Sequence, residues 1–291
     1  MPQPRIAIAS CTGYDGYKTD EDLLREALGE RGCEAISIPW DEDGVDWGGF
    51  DFCLVKSTWD YHHSHDRFLA WTRQVEATTP LRNPAALIAW NSNKTYLREL
   101  AERGVRTVPT VWVEQGSDTN LEEILAVQGW DEAVVKPTVD LGAENLHRVR
   151  RDEPGIQGAL ETVLQRHDAI VQPFLPSLEE QGELSLIHIG GELTHAVRKR
   201  PAAGDFRVQS IWGGTTERAE PEPAQVELAQ QAIAALGTPP LYARADLVTG
   251  PNGSPCLIEL ELIEPNLYLS EHPPTAETLA DALLRIHIDA D

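Results

Sequence analysis

YARADLVTGPNGSPCLIELELIEP, residues 242–265, reads as two strands joined by a tight turn. Each half is apolar over strand length, and Gly250-Pro251-Asn252-Gly253 between them is turn chemistry. In a strand, residues two apart leave the same face, so Glu259 and Glu261 project together. Asp246 lies 259 − 246 = 13 positions earlier and shares that face if the hairpin closes. Three carboxylates on one face repel one another unless a cation sits between them. Oxygen ligands of this kind select Mg²⁺ or Mn²⁺, and a magnesium ion held by few carboxylates completes its shell with substrate phosphates. A solvated polar face is the competing reading. The nearby Arg198, Lys199, Arg207 and Arg244 favour a site that needs both signs of charge.

Working outward, ELSLIHIGGELTHAVRKR (183–200) has two alternating runs around Gly190-Gly191, a hairpin signal, with a helix as the alternative for its first half. Residues 201–223 read as a Gly- and Pro-rich loop, and 224–237 and 276–286 as helices. Upstream, 91–104 predicts a helix capped by Asn91 or Ser92, with Leu97, Leu100 and Ala101 on its apolar face. Strands are expected at 107–113, 132–138 and 167–175, with a helix around 121–129. The first ninety residues alternate strand (5–10), helix (21–32), strands (34–40 and 50–58) and helix (65–77), a small parallel α/β domain. The predicted division is therefore 1–90, 91–175 and 176–291.

The 291 residues carry a formal net charge of −23 and are 41 % hydrophobic and 24 % charged. Those proportions build an ordinary globular core. The excess of negative charge argues against nucleic acid and anionic membranes as partners. None of the four cysteines forms a C-x-x-C pair, no signal-peptide layout opens the chain, and no apolar run reaches the roughly 20 residues of a membrane span. A cytoplasmic protein is expected. Lys136 ends an apolar strand, where a buried ammonium must find an anion such as a polyphosphate. Neither G-x-x-x-x-G-K-[ST] nor G-x-G-x-x-G is present, which argues against Walker-type and Rossmann proteins.

Taken in order, these motifs resemble the ATP-grasp superfamily, from about Asn91 to the C-terminal helix. The resemblance implies an ATP-grasp fold, α+β in its ATP-binding part, preceded by the small α/β domain. It implies that Lys94 and Lys136 reach the ATP phosphates, that Gln172-Pro173-Phe174-Leu175 is the adenine hinge, and that Glu183 takes the ribose hydroxyls. Asp246, Glu259 and Glu261 would hold Mg²⁺ or Mn²⁺, and Arg198, Lys199 and Arg207 would place charge on the γ-phosphate and an acyl phosphate. Two departures stand out. The lid at 138–143 has one glycine and an aspartate, and Glu261 stands where the family usually has Asn. The stretches at 57–61, 195–209 and 258–269 look closest to a bacterial group that includes the cyclo-ligase of cycloserine biosynthesis.

The implied activity is an ADP-forming carboxylate–amine ligase acting on a small amino-acid-like substrate, with an intramolecular cyclo-ligase as a special case. An ATP-binding module without turnover and a carboxylate kinase are the alternatives. The superfamily is often dimeric, so a homodimer is one expected assembly. His62, His63 and His65 lack the partners of a structural zinc site. Trp59 and Tyr61, past the end of the third strand, read equally as ligand contacts and as interface packing.

Overall fold

The structure, a computed structural model, describes residues 3–13, 15–17 and 19–288. The first unit runs β1 (Arg5–Ser10), α1 (Thr19–Glu30), β2 (Glu34–Pro39), β3 (Phe52–Ser57), α2 (His65–Glu76) and β4 (Leu81–Arg82). Its strands form one parallel sheet in the order β2-β1-β3-β4. β1 and β3 are buried apolar runs, as a sheet covered on both faces requires. Thr19 to Asp22 place three acids in the first turn of α1, where they suit the helix dipole.

Two short helices follow, α3 (Ala85–Asn91) and α4 (Tyr96–Glu102). The helix expected over 91–104 thus starts later, at Tyr96, and α3 before it was not anticipated. Asn91 ends α3 instead of capping α4, and Lys94 lies in the turn between them. The amide of Asn91 is spent on a strand edge: it donates to the Leu260 carbonyl at 2.7 Å and accepts from the Leu262 N–H at 2.9 Å. Asn83 bridges in the same way, to the carbonyls of Tyr242 and Leu262 and the N–H of Leu241.

The second unit holds β5 (Val111–Val113), α5 (Leu121–Gln128), β6 (Glu132–Pro137), β7 (His147–Arg150), α6 (Gln157–Leu164) and β8 (Ala169–Pro173). Its sheet is antiparallel, in the order β5-β8-β6-β7. No expectation from the sequence covered β7 and α6, although Ile156, Leu160 and Val163 keep helical spacing. α5 starts where Asn120 accepts from the Glu123 N–H.

After the short α7 (Ser177–Glu180), the third unit comprises β9 (Glu183–Ile189), β10 (Glu192–Arg200), β11 (Thr215–Ala219), α8 (Pro223–Ala234), β12 (Tyr242–Thr249), β13 (Pro255–Glu261) and α9 (Pro274–Ile288). The five strands are antiparallel in the order β11-β10-β9-β12-β13. The helical alternative for 183–190 is overruled. Gly190 and Gly191 both have positive φ, as the tight turn of a two-residue hairpin demands. The stretch 201–223, read as loop, contains the edge strand β11.

The units are tied together. α4 buries Tyr96, Leu97 and Leu100 against the third sheet, with α8 on the same face. α9 returns to the first unit, where Leu279, Ala280 and Leu283 meet Leu24 and Leu28 of α1. Each such buried leucine contributes about 1.5–3 kcal/mol relative to exposure. Among the described residues no helix is long and apolar enough to cross a membrane.

Asn91→Ala should strip partners from two buried backbone groups and cost about 2–4 kcal/mol, at about 1–3 kcal/mol for each unsatisfied group less relaxation. Urea denaturation measures it. A loss below about 0.5 kcal/mol would show that water replaces the amide.

Candidate functional site

The site is one face of the third sheet. Asp246 pairs directly with Glu259, and Arg244 with Glu261, across the β12–β13 ladder. Residues opposite each other share a face, so all four side chains point one way. β9 adds Ser185, opposite Asp246, and Glu183; β10 adds Lys199, opposite Glu183. The alternate residues Leu184, Leu186, Ala243, Ala245, Leu247, Leu260 and Leu262 point to the other side and form the core beneath. Gly182 must precede Glu183, because it has a φ of +78° and a side chain there would strike the Lys199 carbonyl.

Oxygens of Asp246, Glu259 and Glu261 lie within 4.8 Å of one another. Cations of the chain crowd round them. Arg244 Nε donates to Asp246 at 3.0 Å, its Nη2 also reaches Glu261, Lys199 Nζ is 3.4 Å from Asp246, and Lys94 Nζ is 2.9 Å from Glu259. Burial opposes ionisation of Asp246, yet Arg244 and Lys199 hold its carboxyl at about 2. Glu261 is pushed up to about 7 by burial, which Arg244 opposes and repulsion from Asp246 and Glu259 reinforces. A divalent cation among these oxygens would reverse that repulsion. The donor set fits Mg²⁺ or Mn²⁺.

A cleft of about 260 Å³ opens above this face. Lys136, on β6, lines it from the opposite side and makes no hydrogen bond or ion pair among the described residues. Burial lowers its pKa, and the Glu259 carboxylate, the nearest opposing influence, does not outweigh that. Gln172, Pro173 and Leu175 line the same cleft, whereas Phe174 turns away beneath the Arg148 guanidinium, 3.5 Å from its ring centre. Glu183 lines it as well but is paired with Lys199. Arg207 sits at the rim, held by Asp205 at 2.7 Å and stacked over Trp212 at 3.7 Å.

Arg198 corrects the sequence reading. It alternates with Lys199, so it lies on the far side of β10 and donates to the Gln181 carbonyl at 3.1 Å, outside the cleft. Arg244, given by the sequence only as a nearby charge, is instead the centre of the ion-pair network. Its spacing of two before Asp246 was the signal for it. Asp140 of the lid, an acid where phosphate is expected, accepts a hydrogen bond from Asn145 at 3.0 Å, and its main-chain carbonyl accepts from Lys94 at 2.8 Å. Trp212 donates to the Gly142 carbonyl at 2.8 Å and links the lid to the loop after β10. Tyr61 is buried in the core of the first unit and Trp59 packs against it, as the packing reading expects, and both line the cleft. His62 and His63 approach Glu144, just past the lid, within 4.8 Å.

The chain is similar to known proteins in sequence and in fold. Residues 6–83 match the family described as D-cycloserine synthetase DcsG, N-terminal domain, and residues 103–243 match prokaryotic glutathione synthetase, ATP-grasp domain. The chain is 32 % identical to the cycloserine biosynthesis protein DcsG of Streptomyces lavendulae, over 95 % of this chain and 97 % of that one. A crystal structure of D-cycloserine synthetase DcsG superposes with a TM-score of 0.89 at 29 % identity, covering 97 % of this chain and 99 % of that one. The D-alanine–D-alanine ligase of Bacillus anthracis shares the fold, with a TM-score of 0.71 at 17 % identity over 99 % and 100 % of the two chains.

Lys136→Ala should weaken ATP binding about ten- to a hundredfold, the value of a hydrogen bond to a charged group at about 1.5–3 kcal/mol. Calorimetry reads this directly, and an unchanged affinity would remove Lys136 from the site.

Proposed function

The chain belongs to the ATP-grasp ligases, and we propose from that premise that its cleft activates a carboxylate of a small amino-acid-like substrate and closes it onto an amine of the same molecule. Enzymes of this family are carboxylate–amine ligases that use ATP and a divalent metal. The cyclo-ligase reading rests on the similarity to DcsG along almost the whole of both chains. The observation that carries the site assignment is the opposition across one cleft of the Asp246, Glu259 and Glu261 oxygens and the unpartnered Lys136 ammonium.

A carboxylate is a poor acyl donor because oxide would have to leave. Transfer of the γ-phosphoryl group to a carboxylate oxygen gives ADP and an acyl phosphate. The amine lone pair then attacks the acyl carbon, the C–N bond forms, the C–O bond to phosphate breaks, and the nitrogen gives up a proton. Asp246, Glu259 and Glu261 would hold Mg²⁺ or Mn²⁺, which supplies charge neutralisation along the phosphates. Lys136 and Lys94 would bind the phosphates, and the Lys94 ammonium lies between Glu259 and the lid carbonyl of Asp140, close enough to serve both. The segment 172–175 would seat the adenine and Glu183 the ribose. Lys199 and Arg244, already fixed by Asp246, would meet negative charge developing on the transferred group without reorganising. Arg207 would add a cation from the rim.

Glu259→Gln should abolish ADP formation, by at least about a hundredfold given the several kcal/mol of charge stabilisation at stake, while the protein stays folded by circular dichroism. A folded variant with normal ADP release would remove Glu259 from the metal site. In a magnesium- and ATP-dependent screen of amino acids read by mass spectrometry, the product should equal one substrate less one water. A product joining two substrates would make the enzyme an intermolecular ligase.

A further inference from the structure

In the cleft, nearly every carboxylate meets a positive or hydrogen-bond-donating group of the chain. Asp246 and Glu261 meet Arg244, Glu259 meets Lys94, Glu183 meets Lys199, Glu144 faces His62, and Asp140 accepts from Asn145. Glu264 is the exception. It lines the cleft three residues beyond Glu261 and is 4 % exposed. Its Oε2 is buried without a hydrogen-bond partner, and no cation lies within ion-pair distance of it among the described residues. Burial, reinforced by Glu261, pushes its pKa well above the ordinary carboxylate range. An unpaired buried carboxyl is costly; Lys94 and Arg244 act on it only from beyond ion-pair distance, and no donor reaches Oε2.

Nor can Glu264 easily swing out to water, because the backbone around it is fixed. The Glu264 carbonyl accepts from Trp59 Nε1 at 3.0 Å, the Pro265 carbonyl from Lys56 Nζ at 2.5 Å, and the Asn266 carbonyl from Arg244 Nη1 at 3.1 Å. The N–H groups of Leu267 and Leu269 donate to Asp20, at 2.5 and 2.9 Å. Lys56 and Asp20 are themselves a buried ion pair at 3.2 Å. Four elements of the first and third units thus converge to present one carboxyl to the cleft. At the nucleotide end of the cleft the unmatched group is a cation, Lys136; here it is an acid.

We propose that Glu264 is the recognition point for a cationic nitrogen of the substrate, a primary ammonium, held beside the carboxylate that is to be activated. This rests on the ligase reading for the placement of substrate in this cleft. An ammonium so held has no lone pair, so Glu264 orients the substrate and takes no part in bond making.

The test uses the full-length protein with Mg²⁺ and a non-hydrolysable ATP analogue. Pooled α-amino acids of both configurations, and the matching α-hydroxy acids, serve as probes in ligand-observed NMR. Amino-bearing members should bind, and their hydroxy counterparts should not. Glu264→Gln should weaken binding of the amino acid that binds best by about tenfold or more, as loss of a charged hydrogen bond implies. It should leave affinity for the nucleotide analogue unchanged and the melting temperature at least as high as in the parent. The proposal is overturned by equal binding of hydroxy acids, by no binding of any amino acid, by unchanged affinity in the variant, or by a lowered melting temperature that marks Glu264 as a structural group. Binding as expected without ADP formation from ATP would leave the recognition role standing and sink the ligase reading alone.

Discussion

Mutual repulsion of carboxylates on a single sheet face is the constraint around which the molecule is organised. Asp246, Glu259 and Glu261 are placed together by the β12–β13 register and cannot be moved apart without breaking the ladder. The chain answers with cations from three directions: Arg244 from the same strand, Lys199 across the sheet, and Lys94 from the α3–α4 turn. A buried network of this kind stabilises little by itself, since desolvation offsets the Coulomb gain. Its consequence is a set of oriented charges already paid for in folding when substrate and phosphate arrive.

The same face is divided in two. Toward β13 it is charged and open to the cleft. Toward the far ends of β9 and β10 it is apolar, where Ile187, Ile189 and Val197 pack with Tyr242 against the first unit. Tyr242 marks the boundary: its hydroxyl, which carries a single proton, lies between the Val55 and Ile263 carbonyls, at 2.5 and 2.8 Å. Asn83 and Asn91 sit on the same seam. The first unit therefore does more than flank the site. Through Lys56, Asp20 and Trp59 it sets the course of residues 264–269, of which Glu264, Asn266 and Tyr268 line the cleft beside the carboxylates.

Two segments distant in sequence meet beside the cleft. The lid at 138–143 is joined to the loop after β10 by Trp212, and Arg207 stacks on that same tryptophan while bound to Asp205. Ala143 takes a φ of +58°, a left-handed turn beside Gly142 at +68°. Asp140, the acid that opposed a phosphate lid in the sequence, accepts a hydrogen bond from Asn145, five residues on.

The sequence by itself determined the elements with a strong period and the faces they present. Strand alternation placed Glu259 with Glu261, the Gly-Pro-Asn-Gly turn brought Asp246 opposite them, and the apolar run before Lys136 marked that lysine as buried. Alternation also held the correction that Arg198 and Lys199 cannot share a face, and that Arg244 must join Asp246. α3, and the start of α4 at Tyr96 instead of Asn91, were not legible, because Asn91 is set by its bonds to Leu260 and Leu262 of another unit and not by local period. Only the tertiary structure decided which charges are matched. Pairings such as Lys94 with Glu259, 259 − 94 = 165 positions apart, and the bonds of Asp20 and Lys56 to residues 265–269 depend on how three sheets meet. Periodicity fixes the direction of a side chain along its own element; its partner across the molecule is fixed by packing alone.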